Sequence, residues 1–565
     1  MREIKERLLE TDVLVIGAGG AGLRAAIEAQ NMGAKVLIVS KGDFPSGCIT
    51  AIAMGGMLAA FDEQDSPDRH FEDTLRGGDY LNNPRLVRLL VDRAADRAKD
   101  IERYGTEFDK KDGKYKLFPF TGSSVPRGVV ARERYRGGYF KGLVKEAERL
   151  GINILQHVMI TDLTKGKDGV ISGAIGLELD TDTVLIVKAK ATILATGGAG
   201  NLYSLTTNLP GITGDGYALA YRAGAQLSDM EFMQSRACMI YPKGMRGTAP
   251  PADGLVTLGG RFYNGLCERY MRKYHANKLE LVTRAEMARC AQKEILAGRN
   301  SPHGGVFGDL SGVTNEELSK FEGWLKRCAT ENFDPTWQPY EWAPGAHHFM
   351  GGVVINERCE TNVTGLYAAG EVECGVHGTN RLAGNALTET QVFGAIAGKH
   401  AAQRALATSI KPIPPSQINL VKERITSILK RDKGFDPVEV RDEITEIMSR
   451  YVGVIRNDEG LRKAAYLLDQ IEQNKLAKLY LTGERSFRSL AGLLEVENLT
   501  SVGQLVTKAA RQRTETRGSH NREDYPKLDE AWSKHILLQL EKGLPTLKIK
   551  PLCELNGYPA SQERG

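Results

Sequence analysis

Thr11-Asp12-Val13-Leu14-Val15-Ile16-Gly17-Ala18-Gly19-Gly20-Ala21-Gly22 is the stretch on which the reading of this chain turns. An apolar run meets three glycines spaced G-x-G-x-x-G. A helix-forming run from Leu23 to Met32 follows, then a second apolar run from Ala34 to Val39. Strand, turn, helix and strand in that order make the βαβ unit of a dinucleotide fold. Gly17 permits the turn, Gly19 lets the backbone approach a pyrophosphate, and Gly22 lets helix and strand pack closely. In a chain with 62 glycines such spacing also arises by chance, so the placement between strand and helix carries the inference. After the second strand, where an acid commonly meets the ribose, stand Ser40 and Lys41. A hydroxyl and a cation are expected to do that work. Only one such fingerprint occurs, which disfavours a separate nicotinamide site and points to electrons arriving from another protein or carrier.

Two further apolar strands end in glycine, Ala191-Thr-Ile-Leu-Ala195-Thr196-Gly197-Gly198 and Gly365-Leu-Tyr-Ala-Ala-Gly370-Glu371. Between them the chain loses its β-branched runs and shows a helical stretch from Leu279 to Leu296. The nucleotide-binding domain is therefore expected over 1–225 and again over 351–405, interrupted by a capping domain at 226–350. Apolar residues at helical spacing over Ile418 to Lys430, Val438 to Tyr451 and Asp458 to Asn474 predict a helical domain at 406–525. A C-terminal extension completes the chain at 526–565. The expected class is α/β, a Rossmann-like domain interrupted by an α+β cap and followed by helices.

The 565 residues exceed a single core and suggest about three or four domains. A net charge of +5 without a Lys/Arg stripe argues against nucleic acid and is compatible with anionic ligands. The charged start, Met1 to Arg7, leaves no room for a signal peptide, and no segment approaches the ~20 apolar residues of a membrane span. A cytoplasmic protein is expected, peripheral to a membrane at most through partner subunits. The eight cysteines form no C-x-x-C pair. That argues against an iron-sulfur cluster, a structural zinc or a redox dithiol in this chain, and no metal is expected.

Seven ordered stretches resemble the flavoprotein subunits of succinate dehydrogenase and fumarate reductase, a family that includes L-aspartate oxidase. They are Ser46-Gly-Cys-Ile49-Thr50 through Met54-Gly55-Gly56, Thr213-Gly-Asp215-Gly216, Ala346-His347-His-Phe-Met-Gly-Gly352 and Ala369-Gly370-Glu371. His377-Gly-Thr-Asn-Arg381-Leu-Ala-Gly-Asn385-Ala386-Leu387, Gly453 to Gly460 and Arg517 to Asp524 complete the series. The resemblance implies FAD. It assigns the cofactor to Gly17, Ala18, Gly19, Gly20, Ala21, Gly22, Ser40, Lys41, Ser46, Thr50, Gly55, Gly56, Ala195, Thr196 and Gly197. Asp215 is implied at the flavin, Glu371 at the ribityl chain, and the backbone of Asn385, Ala386 and Leu387 at the isoalloxazine, with Arg381 shared by cofactor and substrate. Membrane-bound relatives carry a flavin-bonding histidine where Ile49 stands, so a noncovalent flavin is expected.

A dicarboxylate needs cationic partners, because a buried carboxylate without charge-assisted hydrogen bonds is costly. By resemblance His347 and Arg381 hold carboxylates, Thr257 adds a hydroxyl, and Arg284 donates a proton opposite hydride delivery from flavin N5. Arginine gives up a proton only where neighbouring cations disfavour its charge. Two stretches depart from the family. A second substrate histidine is replaced by Arg236 in Gln234-Ser-Arg-Ala-Cys238, and the relay glutamate after Thr257 is Leu258, although its partner Arg261 remains. The leading expectation is a flavoprotein subunit reducing fumarate, or oxidising succinate, with electrons from an iron-sulfur partner. L-aspartate oxidase is the alternative. The third is a flavin electron-transfer subunit that turns over another unsaturated acid, or none.

Overall fold

In the computed structural model, which describes residues 4–53, 56–133 and 137–552, the first strand starts well before Thr11 and spans Lys5–Ile16. It runs parallel to Thr183–Leu194 along its whole length, from Lys5 opposite Thr183 to Ile16 opposite Leu194. Val36–Val39 pairs with its other edge, Asn153–Leu155 lies beyond that, and Leu366–Ala368 joins the end of Thr183–Leu194, all parallel. The shared stretches, Val13 to Ile16 and Val36 to Val39 among them, are buried throughout, as parallel strands covered on both sides must be. Val158–Lys165 and Ile171–Glu178 add antiparallel strands to make seven. The helices Gly20–Asn31 and Asn385–Leu406 pack against each other and against the central strands.

The five parallel strands finish side by side at Leu155, Val39, Ile16, Leu194 and Ala368. The glycine loop, Ser40-Lys41, Ala195-Thr196-Gly197 and Ala369-Gly370-Glu371 all leave from this edge. Open α/β sheets bind ligands there.

The interrupting segment forms its own four-stranded antiparallel sheet, ordered Met233–Tyr241, Tyr340–Phe349, Val306–Asp309 and Arg261–Tyr263. Helix Arg284–Leu296 packs on its first two strands. A separate core including Phe262, Trp324 and Trp342 holds this unit together.

The three predicted C-terminal helices are Pro415–Leu429, Pro437–Tyr451 and Asp458–Asn474. A fourth, Phe487–Gln512, is the longest of the described residues and was not predicted. The stretch expected as an extension returns to the body of the protein. Lys534–Glu541 and Leu544–Pro551 form a hairpin that joins Leu227–Ser228, Gly352–Val354 and Glu373–Cys374 in a five-stranded sheet. Buried Arg513 secures it, donating to Glu231 Oε1 at 2.6 Å, Glu515 Oε1 at 3.1 Å and the Lys534 carbonyl at 2.8 Å. Among the described residues no helix is long and apolar enough to cross a membrane.

Candidate active site

Beyond the strand ends a cavity of about 2430 Å³ extends under the capping unit. A single small-molecule site occupies roughly 300–1,000 Å³, so there is room for a large cofactor and a second ligand. Gly17, Ala18, Gly19, Gly20, Ala21, Ser40, Lys41, Ser46, Ile49, Thr50, Gly56, Ala195, Thr196, Gly197, Asp215, Glu371, Ala386 and Leu387 line one part. Arg236, Thr257, Leu258, Arg284, His347 and Arg381 line the other. Gly55 lies outside the described residues.

Steric demands explain the loop. Gly17 has φ +112°, and a Cβ there would fall 2.2 Å from the Ala195 carbonyl oxygen. A Cβ on Gly22 would fall 1.9 Å from the Gly17 oxygen, so Gly22 serves helix packing and does not line the cavity. Gly19 differs, because its nearest neighbours would be Thr50 Oγ1 at 3.7 Å and Cys48 Cβ at 3.8 Å. The protein leaves that position open. Helix Gly20–Asn31 has no acid in its first turn, so its positive end offers the cavity an anion site. Thr50 Oγ1 takes the Gly20 N–H at 3.0 Å, while Thr196 Oγ1 is buried without a protein partner. An open backbone cradle and an orphaned hydroxyl fit a dinucleotide pyrophosphate.

Lys41 is more occupied than a ribose contact would be. Its Nζ reaches Asp215 Oδ2 at 2.5 Å, Glu495 Oε1 at 2.7 Å and Thr213 Oγ1 at 2.8 Å. Burial pushes the Asp215 carboxyl up, but Lys41 and the hydrogen bonds it receives outweigh this and hold it below the ordinary carboxylate value. Burial likewise opposes charge on Lys41, and its two carboxylates override it, so the ammonium is raised. Ser40 Oγ is turned to the Gly42 carbonyl at 3.0 Å. Asn385 does not line the cavity: its side chain is buried against His70 Nε2 at 2.7 Å and Thr74 Oγ1 at 3.0 Å.

Arg236, Arg284 and Arg381 are 7%, 8% and 6% exposed, so three guanidinium groups are buried together. Gln234 organises two of them, its Oε1 accepting from Arg381 at 3.1 Å and Arg284 at 3.4 Å. Its Nε2 donates to Asn380 Oδ1 at 2.8 Å and the Arg381 carbonyl at 2.9 Å. Arg381 Nε has no protein partner. Burial, with Arg284 and Arg236 close by, draws the Arg381 guanidinium down to about 9 although Glu371 and Glu389 oppose this. Burial raises the Glu371 carboxyl to about 7 against the Phe349 N–H, which donates to its Oε1 at 2.9 Å, and against Arg381.

Arg284 is the first residue of its helix, set there by a Thr283/Glu286 capping box. A cation is disfavoured at the positive end of a helix. His347 comes from strand Tyr340–Phe349, with Nδ1 held 2.7 Å from Thr207 Oγ1. Thr257 sits in the short turn Val256–Leu258. Arg261 stands apart. In Arg261–Tyr263 the buried residue is Phe262, and strand alternation turns Arg261 outward to a separate surface depression. Arg261, the candidate catalytic residue left as partner of the missing relay glutamate, does not line the cavity. Glu495, Gln234 and Thr207 are contacts that the sequence reading missed.

The profile of an FAD binding domain matches residues 12–387, and that of the fumarate reductase flavoprotein C-terminal region matches 441–560. The chain is 42% identical over 543 residues to one subunit of the fumarate reductase (CoM/CoB) of Methanothermobacter marburgensis, covering 95% of this chain and 98% of that one. It is 33% identical to the succinate dehydrogenase flavoprotein subunit of Coxiella burnetii, with 94% of each covered. A solved mutant of E. coli quinol fumarate reductase superimposes with a TM-score of 0.89 at 28% identity, covering 96% of this chain and 97% of the other.

Proposed function

The chain belongs to the fumarate reductase and succinate dehydrogenase flavoprotein family, and from that premise we propose that it reduces fumarate to succinate as the flavoprotein subunit of a complex with an iron-sulfur partner. The observation that carries this reading is the buried arginine cluster at the cavity shared with the cofactor cradle, in which Arg381 Nε has no protein partner. Buried cations leave donors unpaired at a high cost unless an anionic ligand meets them.

FAD, when bound, supplies hydride chemistry. Gly17 to Ala21, Thr50, Thr196 and Glu371 would hold it, and the flavin is noncovalent because Ile49 offers no nucleophile. Cys48 beside it is no substitute, since burial pushes its thiol up to about 11. Arg381 and His347 clamp the two carboxylates, Arg236 adds a third cationic contact, and Thr257 orients the ligand from the mouth. Arg284 gives its proton to the alkene carbon opposite the hydride. With Leu258 in the cavity wall and Arg261 outside it, reprotonation runs through cavity water and not along a side-chain relay.

The test is to reduce the purified flavoprotein with a viologen dye and add fumarate, then separately to offer L-aspartate under oxygen. Fumarate-dependent dye oxidation supports the proposal. Peroxide from aspartate without fumarate turnover identifies an aspartate oxidase, and inactivity in both assays with FAD bound leaves an electron-transfer role.

A further inference from the structure

Three elements bring His348, His377 and Glu389 together. His348 ends strand Tyr340–Phe349, His377 follows Glu373–Cys374, and Glu389 lies in the first turns of Asn385–Leu406. One potential ligand atom from each lies within 4.8 Å of the others. The residues are 5%, 4% and 1% exposed. The two imidazole rings stand 5.3 Å apart at 68°.

Several of their polar atoms lack a hydrogen-bond partner although ion pairs face them. His348 Nε2, both ring nitrogens of His377 and Glu389 Oε2 have no hydrogen-bond partner. His377 Nε2 and Glu389 Oε2 approach to 3.1 Å, yet they are misaligned for a hydrogen bond. Glu373, also buried, abuts Glu389, and both its oxygens lack a partner. Two carboxylates cannot hydrogen bond to each other unless a proton or a cation lies between them. Buried polar atoms are satisfied in more than about nine cases in ten, so several orphans at one point call for a ligand.

We propose that His348, His377 and Glu389 bind a divalent first-row cation, zinc(II) or iron(II), in the wall of the cavity, which His348 and Glu389 also line. Two imidazoles and one carboxylate are a donor set that both ions accept. A dication also offsets the charge of Glu389, whose carboxyl, despite burial, is held below the ordinary value by His377 and Glu373. His348 Nδ1 faces Glu371 Oε2 at 3.6 Å, a charge contact outside hydrogen-bond reach, which leaves Nε2 to coordinate. The site thereby backs Glu371, the acid that lines the cofactor cavity. Its role is to fix that side chain.

The test uses the full chain, purified with its FAD and desalted. Elemental analysis is expected to find about one equivalent of zinc or iron per chain, and calorimetry of chelator-stripped protein with Zn²⁺, then anaerobically with Fe²⁺, to show which ion binds. His348→Ala and Glu389→Gln are expected to lose the metal at least tenfold, about 1.4 kcal/mol or more. If a variant fails to fold, the wild-type stoichiometry decides. Wild-type protein without metal and without saturable Zn²⁺ or Fe²⁺ binding overturns the site, leaving a proton shared by Glu373 and Glu389. Metal retained in both folded variants overturns it as well. Because metal content is read without fumarate turnover, either failure leaves the proposed function standing on its own test.

Discussion

Replacing Gly19 by alanine separates the folding role of the glycine loop from its ligand role. Gly19 has φ −79°, which alanine adopts freely, and an added Cβ meets protein atoms no closer than 3.7 Å. As a helix N-cap, alanine costs less than about 1 kcal/mol relative to glycine. In a chain of this length that shifts the Tm of the flavin-free protein by less than about 1 °C. The same methyl narrows the cavity where backbone is read as meeting pyrophosphate. Overpacking of ~1–3 kcal/mol predicts FAD affinity lowered ~5- to 150-fold. Gly22→Ala is the contrast. Its Cβ lies 1.9 Å from backbone, so both Tm and FAD binding fall. FAD titration by fluorescence and thermal unfolding of the apoprotein measure the two quantities. Wild-type FAD affinity in Gly19→Ala refutes the cradle, and an apoprotein Tm loss matching Gly22→Ala refutes the separation.

Lys41→Met strands Asp215 and Glu495 in a largely buried site and is expected to cost about 3 kcal/mol at pH 7. Because Asp215 is held below its unfolded value, its stabilising pair is present above pH ~4 and lost as pH falls through the lower folded value. The Tm gap between wild type and variant therefore closes on acidification, which thermal melts across pH will show. Arg381→Gln should leave Tm unchanged or higher, since burial and two neighbouring arginines disfavour this cation. It should also lower kcat/KM for fumarate by ~10- to 150-fold, the worth of a charged hydrogen bond. Arg261→Ala should leave kcat/KM within about twofold, the surface-residue expectation, and a hundredfold loss would return Arg261 to the mechanism.

The glycine loop was legible because strand, turn and helix follow one another within some 30 residues. The amphipathic helices Pro437–Tyr451 and Asp458–Asn474 were legible from their apolar stripes. Phe487–Gln512 was not, because it is buried on most sides and shows no single stripe. The C-terminal hairpin pairs with Leu227–Ser228, some 300 residues away in sequence, and no local pattern announces such pairing. The contact between Lys41 and Glu495 is of the same kind, with 454 residues between them. Family motifs brought Arg284, His347 and Arg381 to one cavity. Arg261 lies outside that cavity, because strand alternation and not its place in the motif sets its direction.

Arg284 is proposed to deliver a proton to a dicarboxylate held by Arg381 and His347. Arg284→Gln, purified with its FAD and driven by reduced viologen, tests it most directly. Fumarate reduction should fall by ~10²- to 10⁴-fold, the span of a general acid's contribution, while FAD content and fumarate affinity stay within a few-fold. Turnover within tenfold of wild type at saturating fumarate would contradict it.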